Sequence, residues 1–284
     1  MIKRSLIAII IFLSSCQERN DRRKVFDVHL HGAAVPGQQL DALTANDVHA
    51  IAISTSWPQQ QAYQSGPQIN VLHGLLLPCP GGRVPYSRQP CFEDGREWPS
   101  VAWVERQIKA GRIDFIGEVL TQYQGISMSD TLMYPFYALA VQYGLPVGIH
   151  TGSAGPDHGC PGFKEDMGNP ALLKETLQRF PELKVWLMHG GGPYIKECIE
   201  IMKTHPGVYT DISVLNNPGI VPEKEFRTIM RSFIDAGLED RLLFGSDNAD
   251  ISTSIEAVER LAFLSGKQKE KIFYLNAASF FKSK

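Results

Sequence analysis

The chain has 284 residues, with 28 Lys plus Arg against 30 Asp plus Glu and a formal charge of −2. Hydrophobic residues make up 43% and charged residues 20%, too apolar for a disordered chain and too near neutrality for a general pull toward nucleic acid. Beyond the N-terminus no apolar run approaches the roughly 18 residues of a membrane span, so a polytopic membrane protein is excluded along with a collagen-like fibre.

The chain opens on the basic Met1-Ile2-Lys3-Arg4 and the apolar run Leu6 to Leu13. That run is short for a permanent span and suits the hydrophobic region of a signal peptide. It ends in Leu13-Ser14-Ser15-Cys16, which resembles a bacterial lipobox. The resemblance implies that residues 1–15 are a lipoprotein signal peptide, removed before Cys16, and that Cys16 carries acyl chains such as palmitate. Gln17 stands where an inner-membrane retention signal usually has Asp, which points to an outer-membrane anchor in a bacterial cell envelope. Residues 16–24 then form a charged, lipidated tether. A plain secretory signal with an incidental Cys16 is the alternative.

From residue 25 onward apolar runs alternate with helical patterns. Strands are predicted at Val25–Leu30, His49–Ser54, Asn70–Leu77, Asp114–Val119, Pro146–His150, Lys184–His189, Val208–Ile212 and Arg241–Ser246. Most are nearly continuous Val, Ile, Leu and Phe, as strands buried on both faces should be. Helical patterns are clearest at Trp98–Ala110, Ser129–Tyr143, Pro170–Arg179, Pro193–Lys203, Glu223–Ala236 and Ile251–Leu264. Gln59 to Ser65 is only weakly helical, and a long loop runs from Pro78 to Pro99. Eight such units predict one α/β domain over 25–284, a single (β/α)8 TIM barrel, with a doubly wound open sheet as the alternative. Cys79 and Cys91 flank a Pro/Gly/Arg-rich segment and are the expected disulfide. Cys198 sits at an apolar helical position and reads as a buried thiol.

Chemistry-bearing residues collect where the predicted strands end. His29 and His31 close strand 1 two residues apart, so both imidazoles face one side. Glu118 ends strand 4, His150 strand 5, His189 strand 6, and Asp247 follows strand 8. In a TIM barrel those C-terminal ends form the mouth where catalytic groups gather. Histidines and carboxylates together suit zinc or another borderline divalent ion.

His29-x-His31, Glu118, His150, His189 and Asp247, in that order, resemble the amidohydrolase superfamily. The phrases around His150, His189 and Asp247, with Asn276-Ala277-Ala278, are similar to the amidohydrolase-related branch that includes aminocarboxymuconate-semialdehyde decarboxylase. The resemblance runs from about Val25 to Phe281 and implies that His29, His31, His150 and Asp247 hold metal. In one-metal relatives the histidine matching His189 contacts substrate or water. In two-metal relatives, such as TatD-like deoxyribonucleases, a strand-4 carboxylate bridges the ions and both later histidines bind the second. Glu118 fits that bridging place, with an acceptor that orients a liganded imidazole as its other reading. One or two zinc ions are expected, with manganese or iron as alternatives.

The activity this implies is hydrolysis of an ester, lactone or amide in a small molecule. Asp247 would take and return the proton, and His189 would stabilise developing charge on oxygen. A decarboxylase or hydratase of an unsaturated acid is the alternative, and a silent lipid-anchored binding protein a second. Trp57, Arg83, Arg88, Thr151, His158 and Asn248 are the expected substrate-binding residues. The arginines are placed to receive a carboxylate or phosphate. A small-molecule substrate and the membrane are the expected partners, without nucleic acid; oligomeric state is not legible.

Overall fold

A computed structural model describes residues 23–153 and 155–282; the signal-like segment, Cys16 and most of the tether fall outside them. Eight parallel strands follow one another in sequence order around a nearly closed barrel, which excludes the doubly wound sheet. They are β1 (Val25–His31), β2 (Val48–Ser54), β3 (Asn70–Leu77), β4 (Phe115–Val119), β5 (Val147–Ile149), β6 (Val185–Leu187), β7 (Val208–Asp211) and β8 (Leu242–Leu243). Closure comes from backbone bonds between β1 and the segment after β8. Val28 N–H donates to the Phe244 carbonyl at 2.9 Å, and Asp247 N–H to the His29 carbonyl at 2.8 Å. Among the described residues, no helix is long and apolar enough to cross a membrane.

Two apolar layers surround the strand wall. Leu30, Ile51, Ile53, Ile116 and Val119 pack outward against helix residues such as Val104, Phe136 and Phe226. Inside the wall, Phe26, Val28, Phe115, Trp186 and Met188 fill the lower barrel, where Phe280 adds a plug from the last helix. Rings meet there edge-on, Phe115 to Trp186 at 5.3 Å and Trp186 to Phe280 at 5.9 Å, a geometry that matches ring edges to ring faces.

Two strands break register just below the mouth. Between Asp27 and Leu30, β1 advances three positions while β2 advances two, from Ile51 to Ile53. Between Ile116 and Val119, β4 likewise outruns β5, which moves from Val147 to Ile149. Each extra residue is a β-bulge, which re-aims the side chains beyond it. Phe26 and Val28 therefore belong to the inner layer together with His29 and His31, although strict alternation would put the two pairs on opposite faces.

Several predicted boundaries shift for local reasons. The sixth strand stops at Leu187, because Met188–Gly191 turn through left-handed His189, Gly190 and Gly191. The eighth shrinks to Leu242–Leu243, although its continuation still bonds β1. The Ser129–Tyr143 pattern divides at Asp130, whose carboxylate caps Leu132 N–H, and the α-helix itself runs Tyr134–Tyr143. Trp98 precedes its helix, which begins after Ser100 caps Trp103 N–H. The Cys79–Cys91 disulfide is present, and Cys198 is a buried free thiol. Burial pushes that thiol up to about 12, leaving it inert at neutral pH.

Candidate metal centre

Each side chain of the mouth cluster is aimed by its strand and then fixed by a partner. His31 Nδ1 donates to the Ser54 carbonyl at 2.9 Å at the end of β2. A carbonyl can only accept, so the Nδ1 hydrogen is engaged and the lone pair sits on Nε2. His29 Nδ1 lies 3.1 Å from Asp211 Oδ2 and 3.0 Å from Ser213 Oγ, and His189 Nδ1 lies 3.0 Å from the same hydroxyl. Ser213 gives its own hydrogen to Asp211 Oδ1 at 2.6 Å, so it accepts from the imidazoles. His150 Nδ1 meets Glu118 Oε1 at 2.5 Å. All four imidazoles thus direct Nε2 lone pairs away from their anchors.

Those lone pairs converge on carboxylates. His31 Nε2 is 3.0 Å from Asp247 Oδ1 and 3.6 Å from Glu118 Oε2. His29 Nε2 is 3.8 Å from Glu118 Oε1 and 3.7 Å from Asp247 Oδ1. His29 Nε2, His150 Nε2 and Glu118 Oε2 are buried without a hydrogen-bond partner, an expensive condition unless a cation completes them. Three overlapping groups have ligand atoms within 4.8 Å of one another: His29, His189 and Asp247; His29, His31 and Glu118; and Glu118, His150 and His189. These residues fit a divalent ion. Glu118 belongs to two groups, and its two oxygens differ, Oε1 orienting His150 while Oε2 faces His31.

The electrostatics agree. Burial opposes charge on His29, but Asp211, Asp247 and Glu118 overcome it and raise its pKa. Burial likewise opposes the Asp247 carboxylate, yet His29, His31 and His189 hold its pKa well below the usual range. Burial, with His29 and His150 beside it, pushes His189 down to about 4. The carboxylates therefore stabilise the charged forms of His29 and His31 while His189 is kept neutral, so the centre favours a limited positive charge.

Backbone conformation marks the same place. His189, Asp247 and Asn248 have φ of 63°, 50° and 57°, left-handed values that non-glycine residues adopt at a cost of about 1–3 kcal/mol each. Compensating bonds hold them: Asp211 Oδ1 accepts from His189 N–H at 3.0 Å, and Asn248 Oδ1 from His31 N–H at 2.9 Å.

The cluster floors a cavity of about 480 Å³, whose wall includes His31, Glu118, His150, His189, Asp247 and Asn248. His158 also lines it. Four other residues expected to meet substrate lie elsewhere. Trp57 packs edge-on against Trp103, ring centres 4.8 Å apart, beside a separate shallow depression. Arg83 Nη1 donates to the Arg88 carbonyl at 2.9 Å, and Arg88 Nη1 to the His158 carbonyl at 2.6 Å. The first bond lies within the loop after β3, and the second ties that loop to the one after β5. Thr151 is fully buried, its hydroxyl donating to the Met188 carbonyl. Sequence reasoning passed over Asp211 and Ser213, although they repeat the two-residue spacing of His29 and His31 at another strand end. It also passed over Tyr86, whose ring centre is 4.0 Å from that of His31, and Tyr123, 5.1 Å from His150. Both follow strands in segments where periodicity carries no signal.

An eight-stranded barrel with histidines and carboxylates around one mouth defines an enzyme-like, metal-type α/β barrel. Residues 87–282 match the sequence profile of the amidohydrolase family, and the chain belongs to that family. His29 and His31 precede the matched stretch. Solved structures share the fold at low identity. An uncharacterized TIM-barrel protein from Bordetella bronchiseptica is 18% identical, with a TM-score of 0.61, covering 90% of this chain and 98% of that one. A zinc-bound amidohydrolase from Burkholderia multivorans is 12% identical, with a TM-score of 0.60, covering 92% and 100%. Dihydroorotase from Campylobacter jejuni is 15% identical, with a TM-score of 0.60, covering 92% and 84%. No curated protein matches the chain significantly in sequence.

Proposed function

We propose that the protein is a divalent-metal-dependent hydrolase that opens an ester, lactone or amide bond in a small molecule. The observation that carries this reading is the convergence of orphaned His29 Nε2, His150 Nε2 and Glu118 Oε2 with His31, His189 and Asp247 on the cavity floor. His29, His31, Asp247 and Glu118 would hold one ion, zinc in our reading, and His150 and His189 would complete a second position across Glu118. A bound divalent ion supplies Lewis acidity, polarising a carbonyl oxygen and acidifying water.

The chain's residues do the rest. Asp247 lies at the edge of the cluster with a quarter of its side chain exposed, placed to take the proton of an attacking water. It returns that proton to the leaving oxygen or nitrogen as the acyl bond breaks. Asp211 and Ser213 hold His29 and His189 in the tautomer that presents Nε2. With its Nδ1 hydrogen given to Ser213, neutral His189 offers the cavity a lone pair, which suits a ligand better than a donor to an oxyanion. The expected anchoring through an acylated Cys16 at the bacterial envelope completes the proposal; labelled palmitate incorporated into wild type and lost in Cys16→Ala would support it.

Elemental analysis of protein prepared without chelator tests the centre. About one or two equivalents of a transition metal are expected, falling in the His29→Ala/His31→Ala variant. No metal after reconstitution with zinc or manganese would overturn the mechanism. Release of carbon dioxide rather than acid from active substrates would replace hydrolysis with the lyase alternative.

A further inference from the structure

Asp27 is a fully buried carboxylate on β1 that belongs to none of the three ligand groups. It stands where the register of β1 begins to slip against β2, two residues before His29. Three hydrogen-bond donors converge on it. Its Oδ1 accepts from His29 N–H at 3.1 Å and from Ser246 N–H at 3.0 Å, and its Oδ2 accepts from the Ser246 hydroxyl. An ionised carboxylate carries acceptors only, so it suits a point at which two amides and a hydroxyl are aimed. Burial works against its charge, and these bonds work for it.

The bonds cross the seam that closes the barrel. His29 stands on one side, and on the other Ser246 is followed directly by Asp247, held at a φ of 50°. Packing across the seam is tight: a Cβ on Gly245 would fall 2.9 Å from His29 Cβ and 3.2 Å from Ser213 Cβ. Two direct backbone bonds already close the seam, from Val28 N–H to the Phe244 carbonyl and from Asp247 N–H to the His29 carbonyl. What the carboxylate adds is a fixed offset between the two backbones that present His29 Nε2 and Asp247 Oδ1, 3.7 Å apart. Bonds from backbone N–H to a carboxylate are roughly twice as strong as neutral ones, which makes that offset stiff.

We propose that Asp27 is a positioning residue of the metal centre: through His29 N–H and Ser246 it sets the separation at which His29 and Asp247 both reach one divalent ion. This role rests on the metal-centre reading, so it is tested by metal coordination rather than by turnover. Cobalt(II) is titrated into metal-depleted protein in competition with a chelating dye, and its visible d–d bands report the ligand geometry.

Asp27→Ala, held below its own melting temperature, should bind cobalt about 10–100-fold more weakly than wild type, with shifted bands. Asp27→Asn keeps an oxygen for both amides and offers Ser246 an N–H in place of the lost acceptor, so it should restore the wild-type bands and most of the affinity. Ser246→Ala removes one bond of the three and should cost about fivefold. That variant carries the test if Asp27→Ala does not fold, and unchanged affinity and bands in it overturn the role. A merely structural Asp27 gives a different pattern: Asp27→Ala unfolds more easily, yet the folded protein keeps wild-type affinity and bands. That result overturns the proposal, as does Asp27→Asn behaving like Asp27→Ala. Wild type that takes up no cobalt, zinc or manganese sinks the metal-centre reading and this role with it, whereas cobalt bound alike by wild type and Asp27→Ala sinks the role alone.

Discussion

The base and the mouth of this barrel are built from the same strands by opposite rules. Below, Phe26, Val28, Phe115 and Trp186 interlock as a largely apolar plug, held by burial and by edge-on ring contacts. Above, His29, His31 and Glu118 stand on the same β1 and β4, nearly as buried but carrying charge and orphaned polar atoms. What separates the two is one extra residue in each strand, at the register shifts of β1 and β4. The apolar plug occupies the part that alternates regularly, and the candidate metal centre the part where alternation breaks.

That division can be broken from either side. Asp247→Asn should lower kcat by about 10³-fold, within the usual range for a lost proton-transfer group, while leaving thermal unfolding nearly unchanged. Near wild-type turnover would remove Asp247 from its role. Phe115→Ala should do the reverse, costing about 3–5 kcal/mol in denaturant unfolding yet keeping full metal content below its melting temperature. Loss of metal from the folded Phe115→Ala protein would show that base and mouth are one unit.

Gly117→Ala probes the boundary itself. Its φ is 154°, and a Cβ would lie 2.9 Å from the Gly148 carbonyl oxygen. A cost of about 1–3 kcal/mol is expected, together with weaker metal binding because Glu118 is the next residue. A stability loss with unaltered metal titration would argue that the bulge does not aim Glu118. Smallest is Asp211→Asn, which keeps shape but removes the charge facing His29 Nδ1. Metal affinity should fall by about 10–100-fold, with Ser213→Ala weaker still, both read by competition against a chelating dye.

Much of this was readable in the chain because burial on both faces writes strands as unbroken apolar runs. The cluster was readable because TIM-barrel topology sends every strand end to one mouth, so His29, His31, Glu118, His150, His189 and Asp247 could be gathered without knowing any contact. The bulges were not legible, since an inserted residue leaves composition untouched; Gly117 was the one local hint. Loop side chains failed for a related reason. Trp57, Arg83 and Arg88 were placed by nearness in sequence to strand ends, whereas their directions depend on turns, on the disulfide and on carbonyls that no periodicity encodes. Asp211 and Ser213 could have been found by the strand-end rule already applied to His29.

The direction of β1 has a consequence for access. The strand begins with Val25 at the base, where Arg23 pairs with Glu259 and lies 5.0 Å above the Phe273 ring, and it delivers His31 to the opposite end. Seven strand residues separate the two by about 20 Å. Whatever is joined to the chain ahead of Arg23 therefore meets the barrel at the end opposite its opening, and a compound reaching the opening from solution does not have to pass that attachment point.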